Sequence, residues 1–302
     1  MQTSYRATMP AFVTVIIPTF RAWSSLRKCL SVLAEQSYPK QAIEVIVVNN
    51  DPDDPPPRDL QHYDFVRIVS EYKAGSYAAR NTGLQAARGD IVAFTDADCV
   101  PARDWIEQAV NALSRMPDAS RVGGRIHITF NGQELSATEM YEKAYAFRQQ
   151  DFVALQGMAA TANMITYRHV FDAVGLFRED LMSGGDAEWG RRAQAAGYSV
   201  VYAPDCVVYH PARRHFAEIA RKTRRVAGGH LVLGNTASSM RAWGEIFVEF
   251  LPPGRSAIRV LCDPALNVRE KITAVAIRYI LRILGASEKA RLLLGQKAYE
   301  RQ

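Results

Sequence analysis

Two aspartates one residue apart, Asp96 and Asp98, end the apolar run IVAFT and precede Cys99-Val100-Pro101. Carboxylates so close oppose each other's ionisation unless a cation neutralises them. A hard divalent ion with oxygen ligands, Mg2+ or Mn2+, bridging to a diphosphate resolves that conflict and absorbs charge on a departing diphosphate. The plainer alternative is a polar loop capping a helix over 102–114. A second constellation, Lys73-Ala-Gly-Ser-Tyr-Ala-Ala-Arg80-Asn81-Thr-Gly83, sets a glycine before a helix N-terminus, with Arg80 one to two turns in. Helix N-termini and guanidinium groups both suit phosphate. Arg80 could also pair with an acid such as Asp96 and brace the site, and the two duties are compatible. A third, Gly184-Gly185-Asp186-Ala-Glu188-Trp189, has an acid opening a helix after two glycines. The ordinary duty of such an acid is an N-cap.

The elements that must position these residues are legible from apolar runs. FVTVII (12–17), stopped by Pro18, reads as a buried parallel strand. A helix follows over 23–36, with Leu26, Leu30 and Leu33 at helical spacing. IEVIVVNN (43–50), FVRIVS (65–70) and IVAFTDAD (91–98) read as further strands, with the breaker DPDDPPP (51–57) and a helix over 76–88 between them. This alternation predicts an α/β chain with a Rossmann-like, doubly wound, mostly parallel sheet. Ligands of such sheets collect at the carboxyl ends of the strands. That rule gathers Pro18-Thr19-Phe20-Arg21, Asn49-Asn50-Asp51, the 71–80 loop and Asp96-Ala97-Asp98.

VTVIIPTF (13–20), EVIVVNND (44–51), AGSYAARNTGL (74–84), GDIVAFTDAD (89–98) and GGDAEWGRRAQAAGY (184–198) together resemble family 2 inverting glycosyltransferases of the GT-A fold. Their order and spacing match over roughly residues 12–210. The resemblance implies a nucleotide-sugar donor, most often a UDP-sugar, lying across the strand ends. Thr19 matches a residue lining the nucleotide pocket, and Pro18, Arg80 and Ala97 share that side. Asn50 stands where the family usually has the Asp that accepts the uracil N–H, and its amide keeps an acceptor oxygen. Arg21 replaces the family's usual Asn. Asp96 matches the ribose and diphosphate-side carboxylate, and Asp98 the metal ligand.

Inversion needs a base that deprotonates the acceptor hydroxyl, and the resemblance assigns it to Asp186, whose place at a helix start favours the ionised form. Glu188 stands in reserve. Trp189 would stack on a sugar or fill the core. Arg191 or Arg192 would approach the diphosphate or take a salt bridge. Asn163 falls on the acceptor side. His210, closing VVYHP (207–211), would add a ligand for Mn2+ or Mg2+ or be structural.

At 302 residues the chain holds about two domains of roughly 150 each. An apolar share of 48% with 23% charged excludes wholesale disorder and fibrous structure. The net charge of +6 is uneven, since residues 212–302 carry 17 Lys/Arg against 7 Asp/Glu. The expected division is a GT-A catalytic domain over 1–211 and a basic, mainly helical C-terminal region over 212–302. Within it, EKITAVAIRYILRIL (270–284) sets Arg278 and Arg282 four apart beside an apolar surface. That suits an anionic membrane interface, or a helix packed on the protein.

Four scattered cysteines without a CxxC pair fit a reducing cytosol. No leader-like apolar core precedes Pro18, and no apolar run is long enough to span a bilayer. The expectation is a cytoplasmic protein, peripheral on the inner face of the membrane, with a glycan or lipid-linked acceptor. Nucleic acid is not expected as a partner, because the basic cluster at 213–225 lacks interleaved aromatics. Two rivals are weaker. A sugar nucleotidyltransferase would carry a glycine-rich phosphate loop where this chain has Pro-Thr-Phe-Arg. A non-catalytic membrane-binding protein on this fold would have lost the carboxylates that Asp96, Asp98 and Asp186 retain.

Overall fold

The computed structural model describes residues 10–296 except 117, 133 and 234–238. The start of the stretch read for a leader (1–9) and the end of the basic region (297–302) lie outside the described residues.

The chain opens with β1 (Val13–Thr19), α1 (Trp23–Leu33), β2 (Ile43–Asn49) and β3 (Val66–Ser70). It continues through α2 (Ser76–Ala86), β4 (Ile91–Phe94), β5 (Val100–Pro101) and α3 (Trp105–Arg115). Every residue of β2 is buried, as expected of a strand covered on both faces. β1 alternates between two cores. Val13, Val15 and Ile17 pack with Leu26 and Leu30 of α1, whereas Ile16 packs with Tyr77 and Leu84 of α2.

The middle of the chain adds β6 (Ala119–Thr129), α4 (Ala137–Tyr145), α5 (Gln149–Gln156), β7 (Met164–Tyr167) and α6 (His169–Val174). Then come α7 (Gly185–Ala195) and β8 (Ser199–Pro211). The strands form one sheet in the order β3-β2-β1-β4-β7-β6-β8-β5. β1 to β4 pair in parallel, as do β6 and β8, while β7 runs antiparallel to β4 and β6, and β5 to β8. The sheet is mixed and mostly parallel, as expected.

The sequence hides β6 for a physical reason. Its centre holds Arg121 and the pair Gly123-Gly124, which erase an apolar period. Arg121 is fully buried and donates to the carbonyls of Gly157 and Tyr198 and to Gln194. Burial pushes its pKa down to about 10. Gly124 is required by close approach: a Cβ there would lie 2.4 Å from Asn163 Nδ2 and from the Cys206 carbonyl oxygen.

Four helices follow, α8 (Phe216–Leu233), α9 (Ser239–Glu249), α10 (Gly254–Leu261) and α11 (Val268–Leu293). α11 starts with a capping box between Asn267 and Glu270, and packs on α4, α8 and α9. Tyr141, Ile219 and Leu281 form a small buried cluster where α4, α8 and α11 meet. The Arg278 and Arg282 edge turns toward the protein: Arg278 donates to Tyr141 Oη at 3.4 Å, and Arg282 to the Val248 carbonyl at 2.9 Å. Exposed apolar residues lie at Phe247, Phe250 and Leu251 in and beside α9, at Ile258 and Leu261 on α10, and at Val268, Ile272 and Ile280 on the outer side of α11. Among the described residues, no helix is long and apolar enough to cross a membrane. Cys29, Cys99 and Cys206 are buried free thiols, and Cys262, just past α10, is exposed.

Candidate functional site

A cleft of about 360 Å³ opens where β1 and β4 end. Strand β4 stops at Phe94, four residues before the expected end. The Thr95 N–H still donates to the Ile16 carbonyl of β1 at 3.4 Å, and Asp96 to Asp98 then leave the ladder in a turn closed by the Cys99 N–H donating to the Asp96 carbonyl at 3.0 Å. Both aspartates therefore sit on a loop facing the cleft. Pro18, Thr19 and Ala97 line the same wall. Thr19 is buried, and its hydroxyl has no hydrogen-bond partner among the described residues.

Arg80, 4% exposed, places Nη2 at 2.6 Å from Asp96 Oδ1. It also donates to the Ser76 carbonyl and lies over the Tyr77 ring. Bracing of Asp96 is thus its observed contact, and Arg80 also lines the cleft.

Asp98 is 44% exposed, and its Oδ2 lies 3.8 Å from His210 Nε2. His210 Nδ1 is 2.8 Å from the Pro211 carbonyl. A carbonyl can only accept, so Nδ1 carries a proton, and in the neutral imidazole the lone pair is then on Nε2, toward Asp98. This matches the demands of a divalent cation on an imidazole ligand. Cys99 is the third neighbour, its donor atom within 4.8 Å of the other two. Burial, with the nearby charges of Asp96 and Asp98, pushes its thiol well up.

Asp186 stands in the first turn of α7. Its Oδ1 accepts from Tyr77 Oη at 3.2 Å and from the Ala187 N–H at 2.9 Å. Oδ2 makes no hydrogen bond among the described residues. Burial and the nearby Asp186 charge push the Tyr77 hydroxyl up, so it stays a donor. Gly185 makes this contact available, since a Cβ there would lie 2.8 Å from the Tyr77 ring.

Other residues named from the sequence take different places. Asn50 is buried, its NH2 group donating to the carbonyls of Glu71 and Lys73 and its oxygen accepting from the Gly75 N–H at 2.9 Å. It ties the end of β2 to the loop before α2. Arg21 has a left-handed backbone, φ +52°, and pairs with Asp51 at 2.6 Å, while Phe20 and Ala22 beside it line the cleft. Glu188 pairs with Arg192 at 2.8 Å, and Arg192 also donates to the carbonyls of Val174 and Leu176. Arg191 donates to the Ala187 carbonyl. Trp189 fills the core, and Asn163 is buried in bonds with Trp105 and two main-chain carbonyls.

The sequence reading missed three cations that line the cleft, Arg213, Lys222 and Arg225. In the sequence they belong to the basic cluster at 213–225, with no site assigned to any one of them. Glu142 grips Arg213 through the main-chain N–H at 2.6 Å and Nη1 at 2.8 Å. Lys222 lies over the Phe147 ring at 4.9 Å, with no carboxylate in ion-pair range among the described residues. Burial, helped by the charge of Arg213, pushes its pKa down to about 8. The available signal was the spacing of Lys222 three residues after Ile219 and four before Val226, which puts it beside the apolar face of α8, whereas nothing in the periodicity marked Arg225.

Beyond Asp186 a second chamber, of about 500 Å³, lies among α4, α8 and α11. Asp186, Phe147 and Lys222 belong to the walls of both cavities.

A sheet of this topology with carboxylates and cations at its strand ends defines a glycosyltransferase of the GT-A fold, and the comparisons agree. The model of the family "Glycosyl transferase family 2" matches residues 14–174. The glycosyltransferase AglE of Haloferax volcanii is 37% identical over 231 residues, 74% of each chain. A dolichyl N-acetyl-alpha-D-glucosaminyl phosphate 3-beta-D-2,3-diacetamido-2,3-dideoxy-beta-D-glucuronosyltransferase of Methanococcus voltae is 23% identical, over 70% of each. Among solved structures, the mannosyltransferase PcManGT from Pyrobaculum calidifontis, in complex with GDP-Man and Mn2+, superposes with a TM-score of 0.57. It is 20% identical, over 97% of this chain and 77% of its own. The chain belongs to glycosyl transferase family 2 and is a glycosyltransferase.

Proposed function

We propose that the enzyme transfers a sugar, with inversion and metal assistance, from a UDP-sugar to a hydroxyl of a lipid-linked glycan acceptor. The observation that carries this reading is the unbonded Oδ2 of Asp186, between the cleft that holds Asp96 and Asp98 and a separate chamber. In a single displacement, Asp186 Oδ2 takes the acceptor proton as the acceptor oxygen bonds to the anomeric carbon and the sugar–diphosphate bond breaks. Arg80 fixes Asp96 on the diphosphate side. Arg213, Lys222 and Arg225 bring positive charge to the departing diphosphate. Asp98 and His210 Nε2 suit a divalent ion, which when bound neutralises diphosphate charge. Asn50 and Arg21 shape the nucleotide end through the loops they hold.

A protein named for a dolichyl phosphate-linked substrate, found among the relatives, supports the lipid-linked acceptor. We assign peripheral membrane contact on the cytoplasmic face to the exposed apolar residues of α9 and α10 rather than to Arg278 and Arg282. The division into a catalytic domain over 1–211 and a basic region over 212–302 is kept, with the second part supplying cations to the cleft of the first.

Calorimetry with UDP-, GDP- and dTDP-sugars, with and without Mn2+, tests the donor side. UDP-sugar binding that needs both Mn2+ and Asp98, and falls about tenfold or more in Asp98→Ala, is expected. Metal-independent binding, or a preference for GDP, overturns the corresponding part.

Lys222 yields a pH prediction. Its proton is held more weakly in the folded cleft than in the unfolded chain, so holding the charge costs stability below about pH 8. That cost fades as pH rises through 8 toward the ordinary lysine value. Lys222→Met is expected to melt higher than wild type at pH 7, with the difference shrinking by pH 9.5, while donor affinity at pH 7 falls. Thermal melts at the two pH values and calorimetry check both halves.

A further inference from the structure

The chamber beyond Asp186 has a charge pattern that a neutral glycan does not require. Its two acidic side chains other than Asp186 are already matched: Glu142 holds Arg213, and Glu249 pairs with Lys289 at 2.6 Å. Arg278 and Arg282, one turn apart on α11, have no carboxylate within ion-pair range among the described residues. The Nε of each is shut off from solvent without a hydrogen-bond partner. Their remaining contacts are weak or neutral, to Tyr141 Oη, the Tyr145 ring and the Val248 carbonyl. Lys222, on α8, adds a third cation to the lining. Between these charges the lining is apolar, with Ile219, Val226, Leu281 and Tyr141. Unpaired guanidinium groups in a partly dry cavity favour a phosphate, which they can bind through paired N–H donors. Apolar walls beside them favour a hydrocarbon chain.

Resting on the lipid-linked acceptor proposed above, we infer that this chamber is the acceptor's aglycone site. Arg278 and Arg282 bind the phosphate of an isoprenoid-type phospholipid, and Ile219, Val226 and Leu281 line the start of its chain. The two arginines and the three apolar residues named lie beyond the matched family region, residues 14–174, while Tyr141 and Glu142 of the same lining lie within it, so the C-terminal helices complete the chamber. Asp186, which lines the same chamber from α7, then faces the glycan carried by that phosphate.

Farnesyl phosphate, farnesol and inorganic phosphate are the probes, each titrated calorimetrically into the full chain. Farnesyl phosphate is expected to bind about tenfold or more tightly than either of the others. Arg278→Gln/Arg282→Gln is expected to lose about tenfold or more of that affinity, and Arg278→Lys/Arg282→Lys, which keeps the charge but not the paired donors, to fall between that variant and wild type. Melting temperature and UDP-sugar binding report whether each variant is folded. Farnesol equal to farnesyl phosphate overturns phosphate recognition, and inorganic phosphate equal to it overturns the lipid. An unchanged affinity in a folded glutamine variant overturns the role of the two arginines. Should that variant not fold, the wild-type ranking of the three probes and the lysine variant decide. Absence of farnesyl phosphate binding beside intact UDP-sugar binding sinks this inference alone, whereas lost UDP-sugar binding in wild type sinks the donor reading.

Discussion

Asp186→Asn is expected to fold, to bind the donor, and to turn over about 10²- to 10⁴-fold more slowly than wild type. Asparagine has the same shape, and its amide oxygen can accept the bonds from Tyr77 Oη and the Ala187 N–H that Oδ1 accepts now. What disappears is the basic Oδ2, and no neighbouring carboxylate replaces it. Glu188, two residues on, is tied to Arg192, and Asp96 is tied to Arg80. Loss of one negative charge at the start of α7 lowers stability by only about 0.3–1 kcal/mol, so a large fall in kcat cannot be ascribed to unfolding. The checks are kcat and KM across pH, a thermal melt, and donor calorimetry on the same preparation. A kcat within tenfold of wild type would remove Asp186 as the base.

Glu142→Ala is expected to lower stability by about 3–5 kcal/mol, the range for stripping one partner from a buried ion pair. The Glu142 side chain is completely buried, and both its oxygens are used, one by the Arg213 main chain and one by its guanidinium. The variant leaves an N–H unsatisfied and a cation in a cleft already holding Lys222 and Arg225. Against a typical total of about 5–15 kcal/mol the loss is large. Glu142→Gln, which keeps an acceptor for one of the two bonds, should lose less. Urea unfolding with an unchanged m-value measures this, and a loss below about 1 kcal/mol would show that the pair is not structurally important. Residual folded variant should also bind donor more weakly, because Arg213 no longer has a fixed place on the wall.

Much of the fold was legible because the strands that carry the cleft are written in short apolar runs rich in β-branched residues. Ile43 to Asn49 could hardly be anything else. Asp96, Asp98 and Asp186 were legible because each follows an abrupt change from apolar or glycine residues to acid. The strand through Arg121 was not, since its centre is an arginine and two glycines, each justified only by neighbours distant in sequence. Asn50 shows the same limit: its type fits a base-binding position, yet its contacts are with a loop that sequence spacing does not bring near. The basic residues of the C-terminal third were visible as a cluster. Helical periodicity tells which of them share a face, but not that the face is turned inward. Lys222 and Arg225 line the cleft and Arg278 and Arg282 the chamber, so that of the two readings left open for α11, a membrane interface or packing on the protein, the arginines take the second.

The distribution of the four cysteines gives the protein a built-in reporter. Cys29, Cys99 and Cys206 are packed in the core, and burial pushes each thiol up, away from the reactive thiolate. Cys262 alone is exposed, one residue past α10 and close in sequence to Ile258 and Leu261. A maleimide dye added to the native enzyme therefore has one ready attachment point, beside the surface assigned to the bilayer. An environment-sensitive fluorophore there would read vesicle contact on the unmutated protein, without disturbing the cleft where sugar transfer takes place.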